Sequence, residues 1–526
     1  MRKKFLPFLL YSLPVFFFII SYFLIVTSGE DIWQGASTPV SIVPDALAAF
    51  RHSVRLADMF AWAVINFFDY IYSFGIDTLF RLLDVAAAFL IFYLSTYLVL
   101  RRRPRLRLSD AIIFSALFLS VFLTSNGLTL YAGFSKIHNY LFICFFTLLF
   151  GIPYLRDLWG LPPHPFKHLS KPFFAFLMLL LGFLFGFASN VTAIVFLLTL
   201  PFYALYHYFS LKNTSKSSSK SSKSLSNPSK TLSKPLSPRT FVFSNLKSFI
   251  FSWRFCGILG ILLSIALMYL VGNGLGDYDT NPAYLAVCDY LPFSDIFQNL
   301  PLSALRILKH NLYNFARFLF PFLLASIPIF FYLCFTKNLP LLKNLKKSLN
   351  FSKTDRNFLV ASGIFIFFHI FALSQIYYPT RLVLPAYLLA ASVFLWFLKR
   401  LFSSIFQKNP KISLKTSSKS SKSLSNPSKT LSKPCHPQTF LLIASSLCLV
   451  LTISILALRT YFAVTYLQKV APVFEEIKTS PESSLCVPQE TAFSPSLPYI
   501  HLGQEDFLVD WAMPQTIYGK TITYCE

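Results

Sequence analysis

Residues 5–27 read FLPFLLYSLPVFFFIISYFLIVT and follow the basic start MRKK. The stretch carries no charge and is longer than the ~20 residues an α-helix needs to cross about 30 Å of hydrocarbon. A basic start before an apolar run also describes a cleaved signal peptide. Against cleavage, the run is longer than the usual ~7–15 residue apolar core of a signal, and no small-x-small site precedes TSGEDIW. The segment therefore reads as a retained membrane anchor, and it sets the class of the whole chain.

The rest of the chain repeats that pattern. Of 526 residues, 55% are hydrophobic, 61 are Phe and only 13% are charged, too few charges to cover an ordinary water-facing surface. Apolar runs recur at roughly 84–100, 108–124, 138–155, 172–187, 191–209, 249–272, 311–336, 357–373, 383–398 and 439–460. With the first, these make eleven expected spans. The expected fold is an all-α integral membrane protein.

Orientation follows from the basic residues, because short Lys- and Arg-rich loops stay on the cytoplasmic side. With the N-terminus inside, inner segments hold 34 of the 47 Lys and Arg, outer segments hold 10, and three lie within spans. Acids run the other way: of 22, only Asp110, Asp157 and Asp355 fall near the inner side. The apolar stretch 59–76 tests this count, since a crossing there would move RRRPRLR (101–107) outside. It reads instead as part of a large external loop, 28–83, with interface helices at 45–60 and 62–83. The C-terminus is expected outside.

The expected organisation is an N-terminal membrane module (1–209), a linker (210–248), a second module (249–398) with an external loop at 273–310, a second linker (399–438), a last span (439–460) and an external tail (461–526). Both linkers contain KSSKSLSNPSKTLSKP, at 220–235 and 419–434. Such Ser- and Lys-rich segments bury too little apolar surface to order themselves, and the matching stops where the copies end, so they mark the inner side rather than carry chemistry. The net charge of +25 belongs mostly to inner loops and is explained by topology; no nucleic-acid partner is implied. The tail has Pro-punctuated strand-like runs such as TITYC and reads as a small cap. Cys486 and Cys525 both lie in it and form a disulfide candidate in an oxidising compartment. No metal-ligand spacing and no Walker, GxGxxG, HExxH or GxSxG arrangement occurs, so neither a metal nor a cofactor is expected.

Candidate chemistry lies outside. TSGEDIWQG places Glu30 and Asp31 just beyond the outer end of the first span, where a carboxylate can act as general base toward an acceptor hydroxyl; two solvated acids at a helix exit would look the same. Trp33 beside them offers a face for a sugar ring, or an interfacial anchor. In LSALRILKHNLYNFARFLFPF, a continuous helix sets Arg306, His310 and Arg317 within about 40° of one another, with Lys309 about 60° to the other side. Such a cationic stripe suits a phosphate or pyrophosphate group, or ordinary lipid phosphates. Arg381, in a short outer loop, can complete the pocket, and Arg51 and Arg55 form an i, i+4 pair on the first loop. GFLFG (182–186) is a GxxxG match and implies close helix packing. His138 and the turn at Asn190 read as structural.

An N-in first span, a large first external loop with acids at its start, many Phe-rich spans and an outer C-terminal part together resemble the GT-C superfamily of polytopic membrane glycosyltransferases. The resemblance covers most of residues 1–400 and rests on architecture. It implies transfer of a sugar from a polyprenyl-phosphate donor to an external glycan or lipid-linked acceptor at the plasma (inner) membrane. It further implies that Asp31 or Glu30 is the base and that Arg306, Arg317 and Arg381 contact the carrier phosphate. GED stands where the family more often has paired Asp. A transporter or flippase of a lipid-linked or small substrate, or a non-catalytic assembly subunit, are the other readings; the first of these expects ionisable residues inside spans.

Overall fold

A computed structural model describes residues 2–24, 76–122, 134–163, 170–189, 192–203, 252–271, 351–374, 384–406, 437–469, 472, 476, 479–488, 516–517 and 520–525. Ten helices lie among them: α1 (Arg2–Leu24), α2 (Ile76–Leu100), α3 (Leu108–Phe122), α4 (Phe134–Leu158), α5 (Lys171–Ala188), α6 (Thr192–Tyr203), α7 (Trp253–Val271), α8 (Lys353–Ser374), α9 (Leu384–Phe406) and α10 (Pro437–Lys469). Five are long and apolar enough to cross a membrane, α1, α2, α4, α5 and α10, and three shorter apolar helices (α3, α6, α7) accompany them. The protein is thus mostly helical with several candidate membrane helices. Ten of the eleven expected spans fall on these helices; the one at 311–336 lies outside the described residues.

One boundary shifts. The end of the expected surface helix 62–83 continues unbroken into α2, Ile76 to Leu100, whose candidate span is Arg81–Leu100; residues 62–75 lie outside the described residues. The stretch 45–60 lies outside the described residues.

The main core joins α1, α2, α3, α4, α8, α9 and α10. Its centre is aromatic. Phe17 meets Phe118 edge-on at 5.4 Å, Phe18 stacks on Phe92 at 6.0 Å, and Phe92 meets Phe118 at 5.7 Å, arrangements that the ring quadrupoles favour. For helices that cross a membrane, with hydrocarbon outside rather than water, such contacts and buried hydrogen bonds hold helices together better than apolar burial does. Proline shows how. Pro14 sits inside α1 and cannot donate to the Leu10 carbonyl one turn back; the hydroxyl of Ser115, on α3, donates to Leu10 O instead, at 3.1 Å. Tyr387 of α9 likewise donates to Ser120 O of α3 at 2.6 Å.

A second core packs α4, α5, α6 and α7 around Phe150, Tyr154, Phe185 and Ile261. Here the GFLFG expectation is met. A Cβ placed on Gly182 of α5 would lie 2.2 Å from the Gly257 carbonyl oxygen of α7, and one on Gly260 would lie 2.2 Å from Leu179 O. The two helices touch through bare backbone, which only glycine permits.

Helix ends are set by short-range chemistry. α4 stops at Gly160, φ 69°, with Gly160 N donating to Asp157 O and Leu161 N to Arg156 O, both at 2.9 Å, the Schellman pattern. α8 starts with a capping box: Asp355 N donates to Ser352 Oγ and Ser352 N to Asp355 Oδ2, each at 3.2 Å. α2 ends at Arg101, φ 55°, a left-handed position that a side chain makes costly. In the tail, β1 (Ser484–Pro488) runs parallel to β3 (Lys520–Cys525), and β2 (Thr516–Ile517) pairs antiparallel on its other edge, giving the order β1-β3-β2. The TITYC run lies in β3, as its pattern suggested.

Candidate functional site

The charged residues of the described bundle gather at its two ends, and the ends differ. At one end lie the C-termini of α2, α4, α6 and α9 and the N-termini of α3, α5, α7 and α8. All three acids that the sequence places near the inner side sit here, each bound to arginine. Arg102 grips Asp110 through two hydrogen bonds of 2.7 and 2.8 Å, and Arg105 N donates to the same carboxylate at 3.0 Å. Arg254 of α7 donates to Asp157 of α4 through Nε at 3.1 Å and Nη2 at 2.8 Å, and the Tyr203 hydroxyl of α6 closes on that carboxylate too. Asp355 is held by Arg101 at 2.7 Å and by Arg400 of α9.

Arg101 also explains its own backbone. Its guanidinium lies 5.2 Å from the Trp159 ring centroid, 5.3 Å from Phe358 and 4.8 Å from Trp396, so three rings and a carboxylate fix it where glycine would otherwise be expected. Burial pulls its affinity for the proton down, which the Asp355 contacts oppose. For Asp355, burial alone would raise the pKa, but hydrogen bonds from Ser352, Arg400 and Arg101 outweigh it and hold the carboxyl below the ordinary carboxylate range. The carboxylate is satisfied, although Arg101 Nε and Nη2 are buried with no hydrogen-bond partner among the described residues, and a carboxylate already bonded to two arginines is poorly placed to take a proton from a substrate. This end is a set of clamps.

The opposite end also buries charge. Arg81 and Asp84, one turn apart at the start of α2, are 7% and 1% exposed, Arg459 of α10 is 6% exposed and Ser21 of α1 is 0% exposed. Arg459 Nε donates to Ser21 Oγ at 3.0 Å, and its guanidinium stands 5.9 Å from the Phe17 ring. Arg81 stands 5.9 Å from Phe23. Ionisable side chains buried among apolar helices are expensive and mark pathways or binding sites more often than packing. In the sequence Arg81 falls in the expected external loop, Asp84 at a span end and Arg459 within a span. The sequence shows a charge at or near the end of an apolar run, but not that it is buried.

The predicted external residues Glu30, Asp31, Trp33, Arg51, Arg55, Arg306, Lys309, His310, Arg317 and Arg381 all lie outside the described residues, so the structure neither gathers nor separates them. Cys486 is disulfide-bonded, while Cys144, Cys256 and Cys448 are free. Cys525 closes β3, which pairs with the strand that carries Cys486; its side chain is not among those described. Among the described residues no group of three His, Cys, Asp or Glu is placed to hold a metal ion. No family model, no curated protein and no solved structure matches this chain.

Proposed function

We propose that the chain is a GT-C-like membrane glycosyltransferase that moves a sugar from a polyprenyl-phosphate donor to an external glycan or lipid-linked acceptor. The observation that carries this reading is two buried arginines toward the C-terminal end of α1, Arg459 bonded to Ser21 and Arg81 against Phe23. A phosphate carried into an apolar setting needs such donors, and arginine suits its geometry. The cluster sits at the C-terminal end of α1, and Glu30 follows Leu24 by six residues, at most about 20 Å of chain. The base proposed, Asp31 or Glu30, is therefore tethered to that end, and Arg306, Arg317 and Arg381 are the further phosphate contacts. The topology proposed with it has eleven spans, the N-terminus cytoplasmic, and the tail external and stapled by Cys486–Cys525, at the plasma (inner) membrane.

One observation favours the second reading, a transporter or flippase: Asp84 and the two arginines are buried ionisable groups within apolar helices, as transport pathways use. The two readings part experimentally. Mass spectrometry of surface glycans from cells with and without the gene finds a missing sugar under the first, and identical glycans sink it. Asp31→Asn and Glu30→Gln, made separately, then locate the base, and full activity in both removes the assignment. Substrate flux in proteoliposomes is the assay for the second.

A further inference from the structure

An apolar groove runs between α4, α6, α8 and α9, and nothing in the proposed chemistry uses it. Its cavity is about 190 Å³, larger than the ~150 Å³ that suffices for a benzene ring in an apolar protein interior. Thr147, Gly151, Phe196, Thr199 and Phe365 contribute to its wall. The hydroxyls of Thr147 and Thr199 are spent on their own helix, donating to Ile143 O at 2.6 Å and Phe196 O at 2.7 Å. Two other polar atoms are not. Asn357 Nδ2 and Ser362 Oγ, both on the α8 side of the groove, are buried with no hydrogen-bond partner among the described residues, and Ser362 is 2% exposed. A buried donor without an acceptor costs free energy, so the groove is built for an apolar body that brings acceptor oxygens.

The depth of these donors narrows the choice. Asp355, in the clamp belt, marks the charged end of the bundle; Asn357 lies about 3 Å and Ser362 about 10 Å further along the axis at ~1.5 Å per residue. That is the zone where headgroup gives way to hydrocarbon. Arg356, in the same turn as Asn357, is exposed, and the belt around it is rich in arginine. The rim is open, since Val360 and Phe202 are exposed. The wall also has a gap: a Cβ on Gly151 would meet nothing within 4 Å among the described residues.

We infer that the groove binds one anionic glycerophospholipid of the leaflet on the arginine-rich side. An acyl chain lies along Gly151, Phe196 and Phe365. Its ester oxygens accept from Asn357 Nδ2 and Ser362 Oγ, and its phosphate faces Arg356. The site is at the other end of the bundle from the Arg81 and Arg459 cluster and does not depend on which reaction that cluster serves.

The test is native mass spectrometry of the full chain, delipidated in mild detergent and titrated with phosphatidylglycerol, phosphatidylcholine or a free fatty acid. Wild type should retain about one phosphatidylglycerol, at least fivefold more than phosphatidylcholine. Gly151→Leu fills the gap with a residue that favours helix more than glycine does, and should reduce retention at least tenfold while the lipid-free protein melts no lower than wild type. Asn357→Leu, which keeps the volume and removes the donor, should reduce it about fivefold, so the site stays testable if Gly151→Leu folds poorly. Equal retention by wild type and both variants overturns the site. Equal retention of the two phospholipids, or retention of the fatty acid as strong as that of phosphatidylglycerol, overturns its preference for an anionic glycerolipid.

Discussion

At one end of this bundle acids are clamped by arginines between helix ends; at the other, arginines are buried against aromatic rings and a serine. Asp110, Asp157 and Asp355 each meet arginine at hydrogen-bond distance. Arg81 and Arg459, equally out of water, are described against Phe23, Phe17 and Ser21. The first arrangement spends charge on tying helix ends together. The second keeps positive charge in a low-dielectric setting, where it attracts an anion more strongly than on a wetted surface. The contrast separates charges paired at helix ends from charges buried within apolar helices.

The largest expected effect tests the holding end. Asp355→Ala leaves Arg101 and Arg400 facing each other without their carboxylate, and breaking a buried pair from one side costs about 3–5 kcal/mol. Thermal unfolding in detergent should show the purified protein melting well below wild type; an unchanged melting point would mean that the clamp carries no stability. Gly182→Leu should cost about 1–3 kcal/mol or more by forcing α5 away from α7, read in the same assay.

The other end should respond in the opposite sense. Arg81→Met and Arg459→Met are each expected to lower the yield of sugar-modified product, or of transported substrate, at least tenfold, with a melting shift smaller than that of Asp355→Ala. If instead they unfold the protein as Asp355→Ala does, the cluster is a clamp as well and the comparison fails. A smaller effect concerns pH. The Asp355 carboxyl is held below the ordinary value of about 3.9, so its ionised form is the one that stabilises the fold. That contribution is complete above the unfolded carboxylate value and is lost as pH falls through the lower folded value. Melting points should therefore hold between pH 7 and 5 and drop below about 4, and Asp355→Asn should flatten its share of that drop. Smallest of all, Gly151→Ala should raise stability by about 0.5–1 kcal/mol, since its Cβ enters open space.

The sequence was informative wherever the cause was local. Uninterrupted apolar runs became helices, GFLFG became a backbone-to-backbone contact, and TITYC became a strand. It was silent where partners are distant in the chain. Arg101 and Asp355 are 254 residues apart, and Arg254 and Asp157 are 97 apart; no spacing rule links them, although the scarcity of inner-side acids did mark all three carboxylates as unusual. The start of α2 was ambiguous for a different reason. Residues 76–83 are amphipathic, and a helix lying on a membrane and one turning into it share that periodicity. Of the candidate site, Glu30, Asp31 and the external arginines were legible only as residue types at loop positions. Arg81, Asp84 and Arg459 needed the third dimension, because only packing shows that a charge near the end of a run is buried rather than wet.

The contact between α5 and α7 has a consequence for the way the chain can be divided. These helices belong to the two sides of the first Ser- and Lys-rich linker, yet they meet through bare backbone at Gly182 and Gly260. The covalent connection is then redundant for keeping the halves together once both are in the bilayer. Two separately expressed fragments, cut within 210–248, should find each other and copurify, and Gly182→Leu in one fragment should abolish the pairing. A joint of that kind leaves the linker free to lengthen, shorten or acquire a copied cassette without disturbing what it connects.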